Sequence, residues 1–307
     1  MVKETENVPP DFAFLALAKD CAATIPCFLE LLDTLRRSGS SVVAFVGENG
    51  SRDGTRVLLQ DAKARGEIKL VPTAFMAGEP ARLRRMALGR EWLKKEFEAS
   101  GIKTRFVCVL DIDNVLATPP AVPALLSAAA KLERPGIFGV SATSRPHYYD
   151  LLAFEDEHRS FARLLDELAE NRTGLFAYHR FFRSRIYPYQ RALTSDREIA
   201  CLSTFNGLCL YRSETYRLGS YLQDGVNICE HLVFNRHLAA LTGGAMLIDS
   251  GLALGTPADH AQRSFLPFAW RRLRKLVDIS LHRRRVGRSD FIASRLTTED
   301  GKNRAQM

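Results

Sequence analysis

Three apolar runs of strand length, each followed by a segment of helical periodicity, set the frame for this chain. Residues 12–18, 42–46 and 105–110 are apolar almost throughout. A strand with one face in water alternates apolar and polar residues, whereas a strand covered on both faces does not. Between the first two runs, Phe28, Leu31, Leu32 and Leu35 fall on one helical face of 26–37, and Gly39 closes that helix. A second helix is predicted from Val57 to near Gly66, a short strand over 68–71 and a third helix over 82–99. This alternation predicts an α/β fold, a Rossmann-type mainly parallel sheet flanked by helices. Ligands of such sheets gather at the carboxyl ends of the strands. Asp20, Glu48, Asp111 and Asp113 would lie along that edge.

The second half is less regular. Helices are predicted over 121–132, 154–170 and 228–241, and strands over 136–141, 202–211 and 245–248. No internal repeat or linker divides the chain. The expected organisation is a loose N-terminus over 1–10, one domain over 11–262, and a basic amphipathic segment with a polar tail over 263–307. With 46% hydrophobic and 25% charged residues among 307, the composition is that of a globular protein. No apolar stretch nears the roughly 20 residues of a membrane span. The first residues carry no basic start and apolar core of a secretion signal. Six scattered cysteines, none paired at two-residue spacing, fit a reducing compartment. The expectation is a cytoplasmic protein, peripheral on the inner membrane face if the basic segment binds lipid.

Two short elements carry the chemistry. Asp111 and Asp113 are two apart just past an apolar strand, so on extended backbone their carboxylates share a side. A divalent cation, Mg²⁺ or Mn²⁺, is the natural partner for such a pair; a solvated loop, or a helix cap at Asp113, is the plainer alternative. The second element is Glu48-Asn49-Gly50-Ser51-Arg52-Asp53-Gly54-Thr55. Its glycines allow tight turning, and Ser51 or Asp53 can cap the following helix. Glu48 at the strand end can accept hydrogen bonds from a base or a ribose. The Gly-Lys-Ser/Thr element of a P-loop is absent. The run 109–116 is also similar to the first motif of haloacid-dehalogenase-type phosphatases, which would make Asp111 a nucleophile. That motif normally opens its fold, however, whereas strand–helix units precede it here. Asp249 also lacks the acidic partner expected late in such a chain.

These elements in this order resemble the GT-A-fold glycosyltransferases, which use nucleotide-sugar donors, and most closely their capsule-associated mannosyltransferase branch. The resemblance spans roughly residues 12–260. It implies a GT-A-like fold and transfer of a hexose, with mannose as the finer expectation, from a UDP- or GDP-linked donor. The acceptor would be a hydroxyl of a glycan or lipid-linked saccharide in polysaccharide or lipopolysaccharide synthesis, with Mn²⁺ or Mg²⁺ as cofactor. Donor-nucleotide contacts are implied at Asp20, Glu48, Asn49, Ser51, Asp53 and Asp111. Metal ligation is implied at Asp111, Asp113 and His260. The stretch 203–212 resembles the family's glycine-bearing strand beside the sugars, which points to Asn206 and Gly207, with His147 in a loop framing the acceptor. Cys229-Glu230-His231 stands where many members carry Glu-Asp, making Glu230 the expected general base and His231 its alternative.

The charge balance is local. Lys and Arg number 43 against 35 Asp and Glu, a net +8. Nine of the basic residues fall between 262 and 288, against one acid, Asp278. Within 265–288, Trp270, Leu273, Val277 and Leu281 recur at helical spacing among arginines. Such a segment suits an anionic membrane surface, or a helix docked on the domain by that apolar face. A nucleic-acid-binding protein is a third reading that no recognition module supports.

Overall fold

The computed structural model describes residues 11–171, 174–224 and 228–274. The N-terminal decapeptide and the tail beyond 274, including Lys275, Val277 and Leu281 of the basic segment, lie outside the described residues.

The first half runs β1 (Phe12–Ala18), α1 (Ile25–Arg37), β2 (Val42–Glu48), α2 (Thr55–Ala64), β3 (Lys69–Pro72), α3 (Arg82–Ala99) and β4 (Phe106–Asp111). The second half runs α4 (Val122–Lys131), β5 (Ile137–Arg145), α5 (Phe161–Glu170), α6 (Leu175–Phe181), α7 (Tyr187–Ala192), β6 (Ile199–Cys201), β7 (Leu208–Arg212), α8 (Ser213–Leu218), α9 (Glu230–Thr242) and β8 (Ala245–Gly255). One eight-stranded sheet has the order β3-β2-β1-β4-β7-β5-β8-β6. The first four strands in that order are parallel, as are β5 and β8. β7 enters antiparallel between β4 and β5, and β6 is an antiparallel edge on β8. The mixed, mainly parallel α/β sheet flanked by helices is therefore the observed architecture.

Period-two alternation feeds two cores. Phe12, Phe14 and Ala16 of β1 join Phe28, Leu32 and Leu125 on one face. Ala13 and Leu15 join Leu93, Phe97 and Val109 on the other. That double burial is why the strands read as unbroken apolar runs. α3 buries three charged residues, Arg90, Glu91 and Lys94. Glu91 Oε2 accepts the backbone N–H of Tyr221 at 2.9 Å, and Lys94 Nζ lies 2.8 Å from Glu98 Oε1.

The second half departs from the expected elements at three places. The helix expected over 154–170 begins only at Phe161, capped by the Ser160 hydroxyl, which accepts the Arg163 N–H at 3.3 Å. Before it, Glu155 bridges to Ser203, and its carboxylate holds Arg236 through two 2.7 Å contacts. The strand expected over 202–211 forms only at its end, as β7; a short strand, β6, ends at Cys201 just before it, and a largely buried loop joins the two. Ser203, Thr204, Phe205 and Asn206 are buried there by side-chain anchoring rather than by a ladder: Asn235 Nδ2 donates to Ser203 Oγ at 3.0 Å and to the Thr204 carbonyl at 3.1 Å. The strand expected over 245–248 continues to Gly255, because the register with β5 skips from Asp249 to Ala253 and resumes. The skipped residues Ser250, Gly251 and Leu252 form a bulge, and its Ser-Gly start reads as a strand end in sequence.

Candidate active site

The parallel strands end where expected, and β4 delivers Asp111 as its last residue. Its carboxylate is gripped by Arg90, which reaches across from α3. Arg90 is 1% exposed; Nη1 donates weakly to the carbonyls of Leu15 (3.5 Å) and Leu110 (3.4 Å), and its guanidinium sits 5.6 Å from the Phe205 ring centre. Burial pushes the Asp111 carboxyl up to about 7; Arg90 opposes the rise, and Asp113, Glu230 and Asp150 add to it. Asp150 is also pushed up to about 7, first by burial and then by Glu230, with Arg82 among the groups opposing it. Burial likewise raises Glu230, against Arg90, its own N–H and Arg82. Four acidic residues thus crowd one edge with two arginines to balance them, a concentration of charge typical of functional sites.

Arg90 and Asp150 carry no signal in the sequence. Position 90 reads as one charged residue among many on a helix, and Asp150 sits in a loop without pattern. Of the Arg82, Arg84 and Arg85 group, Arg84 pairs with Glu79 at 3.1 Å and Arg85 donates to the Glu79 carbonyl at 2.8 Å. Arg82 is exposed and within electrostatic reach of Asp150 and Glu230.

Glu230 opens α9, where a carboxylate is favoured by the helix dipole. Its Oε1 lies 3.6 Å from His231 Nε2, outside hydrogen-bond range. His231 is buried with neither ring nitrogen partnered, stacked on Phe205 and edge-on to Tyr221. Burial, helped by Arg90, holds its pKa well below the usual range, so it is a neutral imidazole and no ion-pair partner for Glu230. That environment makes His231 a poor proton acceptor, and Glu230 the better-suited base of the two.

The loop after β2 is heavily self-bonded. Glu48 Oε1 accepts the Ser51 N–H at 2.5 Å, and Oε2 lies 2.9 Å from both Nε and Nη2 of Arg56. Asp20, at φ 49°, accepts the Arg52 N–H at 2.7 Å, while its own N–H donates to Ser51 Oγ at 3.0 Å. Asp53 accepts from Ala22 N and Thr55 N at 3.0 Å each; the Thr55 hydroxyl first, and then these two N–H groups, hold its carboxyl below the ordinary range. Asn49 is buried. Ser51 and Asp53 therefore brace the turn and the start of α2. Glu48, accepting three donors, has little capacity left of the roughly four lone-pair sites a carboxylate offers.

Other expected site residues make local structural contacts. Asn206, at φ 52°, is buried; its Oδ1 accepts Tyr149 N at 3.2 Å and Asp150 N at 3.4 Å, and its Nδ2 donates to the Ala142 carbonyl at 3.3 Å. It thereby shapes the backbone that carries Asp150. The Gly207 carbonyl accepts the Asp111 N–H at 2.9 Å. His147 is buried, with Nε2 donating to the His260 carbonyl at 3.1 Å, so it fastens the turn that carries His260. Asp113 is exposed and caps the following 3₁₀ turn through the Val115 N–H at 3.0 Å. His260 is exposed, its ring 5.0 Å from that of Tyr149. Among the described residues, no three His, Cys, Asp or Glu side chains come together as a metal cluster, so Asp111, Asp113 and His260 do not form the expected trio. The Asp111–Asp113 pair still suits Mg²⁺ or Mn²⁺, which bind through one or two carboxylates with phosphate and water completing the shell. Asp249, the late acidic residue after an apolar strand, is buried on β8 in an ion pair with Lys131 at 2.7 Å.

No protein-family model matches the chain, and no curated protein matches it. Among solved structures, it is similar to the mannosyltransferase PcManGT from Pyrobaculum calidifontis in complex with GDP-Man and Mn²⁺, at 18% identity and TM-score 0.44, over 91% of this chain and 66% of that one. It is also similar to glucosyl-3-phosphoglycerate synthase from Mycobacterium tuberculosis in complex with Mn²⁺, UDP and glucosyl-3-phosphoglycerate, at 14% identity and TM-score 0.42, over 86% and 76% of the two chains. TarS from S. aureus is similar at 12% identity and TM-score 0.41, over 81% and 58%. Likenesses this distant transfer no substrate, metal or residue role. Among the described residues, no helix is long and apolar enough to cross a membrane.

Proposed function

We propose that this chain is a metal-dependent glycosyltransferase that moves a hexosyl group from a nucleoside-diphosphate sugar to a hydroxyl of a glycan or lipid-linked saccharide. The observation that carries this is the set of electrostatically coupled carboxylates Asp111, Asp113, Asp150 and Glu230 about the carboxyl end of β4, with Arg90 paired to Asp111 and Arg82 within electrostatic reach of Asp150 and Glu230. The order of motifs, from the Glu48–Thr55 loop through Asp111-Ile112-Asp113 to Glu230, supports the nucleotide-sugar reading. GDP-mannose is the finer proposal, and polysaccharide assembly the setting.

In this mechanism Asp111 and Asp113 would hold Mn²⁺ or Mg²⁺, which when bound would neutralise diphosphate charge. Arg90 keeps Asp111 aimed at the edge. Arg82, exposed and without an ion-pair partner among the described residues, contacts the departing diphosphate. Glu230 takes the proton of the acceptor hydroxyl as its oxygen bonds to the anomeric carbon; the bond from that carbon to the diphosphate oxygen breaks, and the nucleoside diphosphate leaves. A carboxyl raised by burial is closer to the operating pH of a general base than an ordinary glutamate.

Calorimetry with UDP, GDP and ADP, with and without Mn²⁺, tests this proposal on the wild type and on Asp111→Ala/Asp113→Ala. Metal-dependent binding of one nucleotide, lost in the variant, is the expected result. Absence of binding under both metal conditions would overturn it.

A further inference from the structure

The C-terminal segment reverses the sequence expectation about its faces. Residues 265–274 are helical, and the side chain that docks on the domain is Phe268, 7% exposed. Phe268 packs on Tyr178, His179 and Phe182 at ring distances of 5.9, 5.0 and 5.4 Å. His179 Nε2 donates to the Arg263 carbonyl at 3.1 Å, and Arg272 lies over the Tyr178 ring at 4.5 Å. His179 therefore belongs to this aromatic joint.

The stripe that carries Trp270 and Leu273, expected as the docking face if the helix packs on the domain, points the other way. With about 3.6 residues per turn, Leu266, Trp270 and Leu273 all fall on the side of the helix opposite Phe268. They are 77%, 59% and 45% exposed. On α6, Phe176 is 69% exposed and meets Phe265, the residue before Leu266, at 5.8 Å between ring centres. Arg180 follows Phe176 by one helical turn and is exposed as well. Arg271 and Arg274 flank the stripe, and Arg274 lies 5.1 Å from the Trp270 ring centre. None of these arginines pairs with a carboxylate among the described residues. Large outward apolar side chains seldom gather on a surface unless they meet a partner. A rim of unneutralised arginine around such a patch matches the chemistry of an anionic lipid surface, which takes tryptophan and leucine at the acyl boundary and arginine among the headgroups.

We infer that Leu266, Trp270 and Leu273, with Phe176 of α6, form a membrane-docking face that inserts into an anionic lipid surface while Phe268 holds the helix to the domain. This rests on the patch alone and is independent of the glycosyl-transfer proposal.

The chain has two tryptophans, Trp92 and Trp270. The full-length Trp92→Phe protein therefore reports on Trp270 alone. It is titrated with phosphatidylglycerol/phosphatidylcholine vesicles whose acyl chains are brominated, with pure phosphatidylcholine vesicles as the comparison. A blue shift and quenching of Trp270 with anionic vesicles only are expected. Arg271→Gln and Arg274→Gln should each weaken partitioning roughly fivefold. Leu266→Ala/Leu273→Ala, at exposed positions that leave the fold intact by circular dichroism, should weaken it roughly tenfold or more. Protein that stays in the supernatant with unquenched Trp270 would overturn the inference. So would equal binding to neutral vesicles. So would an already blue, acrylamide-shielded Trp270 in the free protein, which would mean that a second copy or the chain's own later residues cover the stripe.

Discussion

Arg90 offers the sharpest test of how this site is held together. The Arg90→Met substitution keeps most of the apolar stem and volume but removes a charge that is 1% exposed and paired to Asp111. Two weak bonds to the carbonyls of Leu15 and Leu110 go with it. What remains is a carboxylate at a crowded edge, with Asp113, Glu230 and Asp150 all opposing its charge. Breaking one side of a buried pair costs about 3–5 kcal/mol. Against a net stability of roughly 5–15 kcal/mol this is a large share, and at about 2–4 °C per kcal/mol it lowers Tm by about 10 °C. Adding Asp111→Asn removes the stranded charge. The double variant Arg90→Met/Asp111→Asn should therefore recover about 2 kcal/mol relative to the sum of the single changes, within the range of coupled neighbours. Urea unfolding of the four proteins in metal-free buffer at one pH above 8 measures the cycle. A coupling energy below about 0.5 kcal/mol would refute the idea that Arg90 is there for Asp111, and would leave it a packing residue.

Gly207→Ala should destabilise by roughly 3 kcal/mol, since φ is 87° and the new methyl would sit 2.6 Å from Val115 Cγ1 and 2.7 Å from Tyr149 Oη; thermal unfolding checks it, and a change under about 1 kcal/mol would contradict the packing. Glu230→Gln should lower kcat by about 10²-fold or more while leaving nucleotide affinity within a few-fold, read by steady-state kinetics beside calorimetry; an unchanged rate removes Glu230 as the base. The Asp150 carboxyl, at about 7 when folded against roughly 3.9 when unfolded, keeps a proton that the unfolded chain has already released. Its contribution makes the fold less stable as pH rises from about 4 to about 7, and is level beyond. Asp150→Asn should flatten that part of the decline in urea midpoints; parallel curves for the two proteins would rule it out.

Legibility in the sequence tracks burial symmetry. β1, β2 and β4 are covered on both faces, so their apolar runs are unbroken and their ends, with Glu48 and Asp111, can be located. The bounds of α3, 82–99, are equally plain, yet its meaning is hidden. Nothing local tells a buried Arg90 from an exposed Arg84, because what distinguishes them is the carboxylate brought to position 111 by another element. The 202–211 stretch misleads for a related reason: Ser203 to Asn206 are small or apolar and buried, as in a strand, but their polar groups are met by Asn235, Asp150 and Glu155 from distant positions. Side-chain anchoring of this kind leaves no period in the sequence. The amphipathic tail shows the complementary failure. Its face is visible in the spacing of Trp270 and Leu273, but which face meets the protein is decided by the aromatic cluster around Tyr178, far earlier in the chain.

The insertion of β7 between β4 and β5 carries a consequence for how the molecule is made. β4 leaves the ribosome with β1 to pair on one side, and on the other a bare ladder edge ending at Asp111. Its partner there is β7, synthesised about 100 residues later, a delay of roughly 5–20 s at ordinary elongation rates. Until then the half-sheet presents an unpaired apolar edge, with Arg90 and Asp111 at its rim, a hazard for aggregation. The nascent chain should need shielding over that interval, and a fragment stopped near residue 150 should precipitate where the whole chain stays in solution.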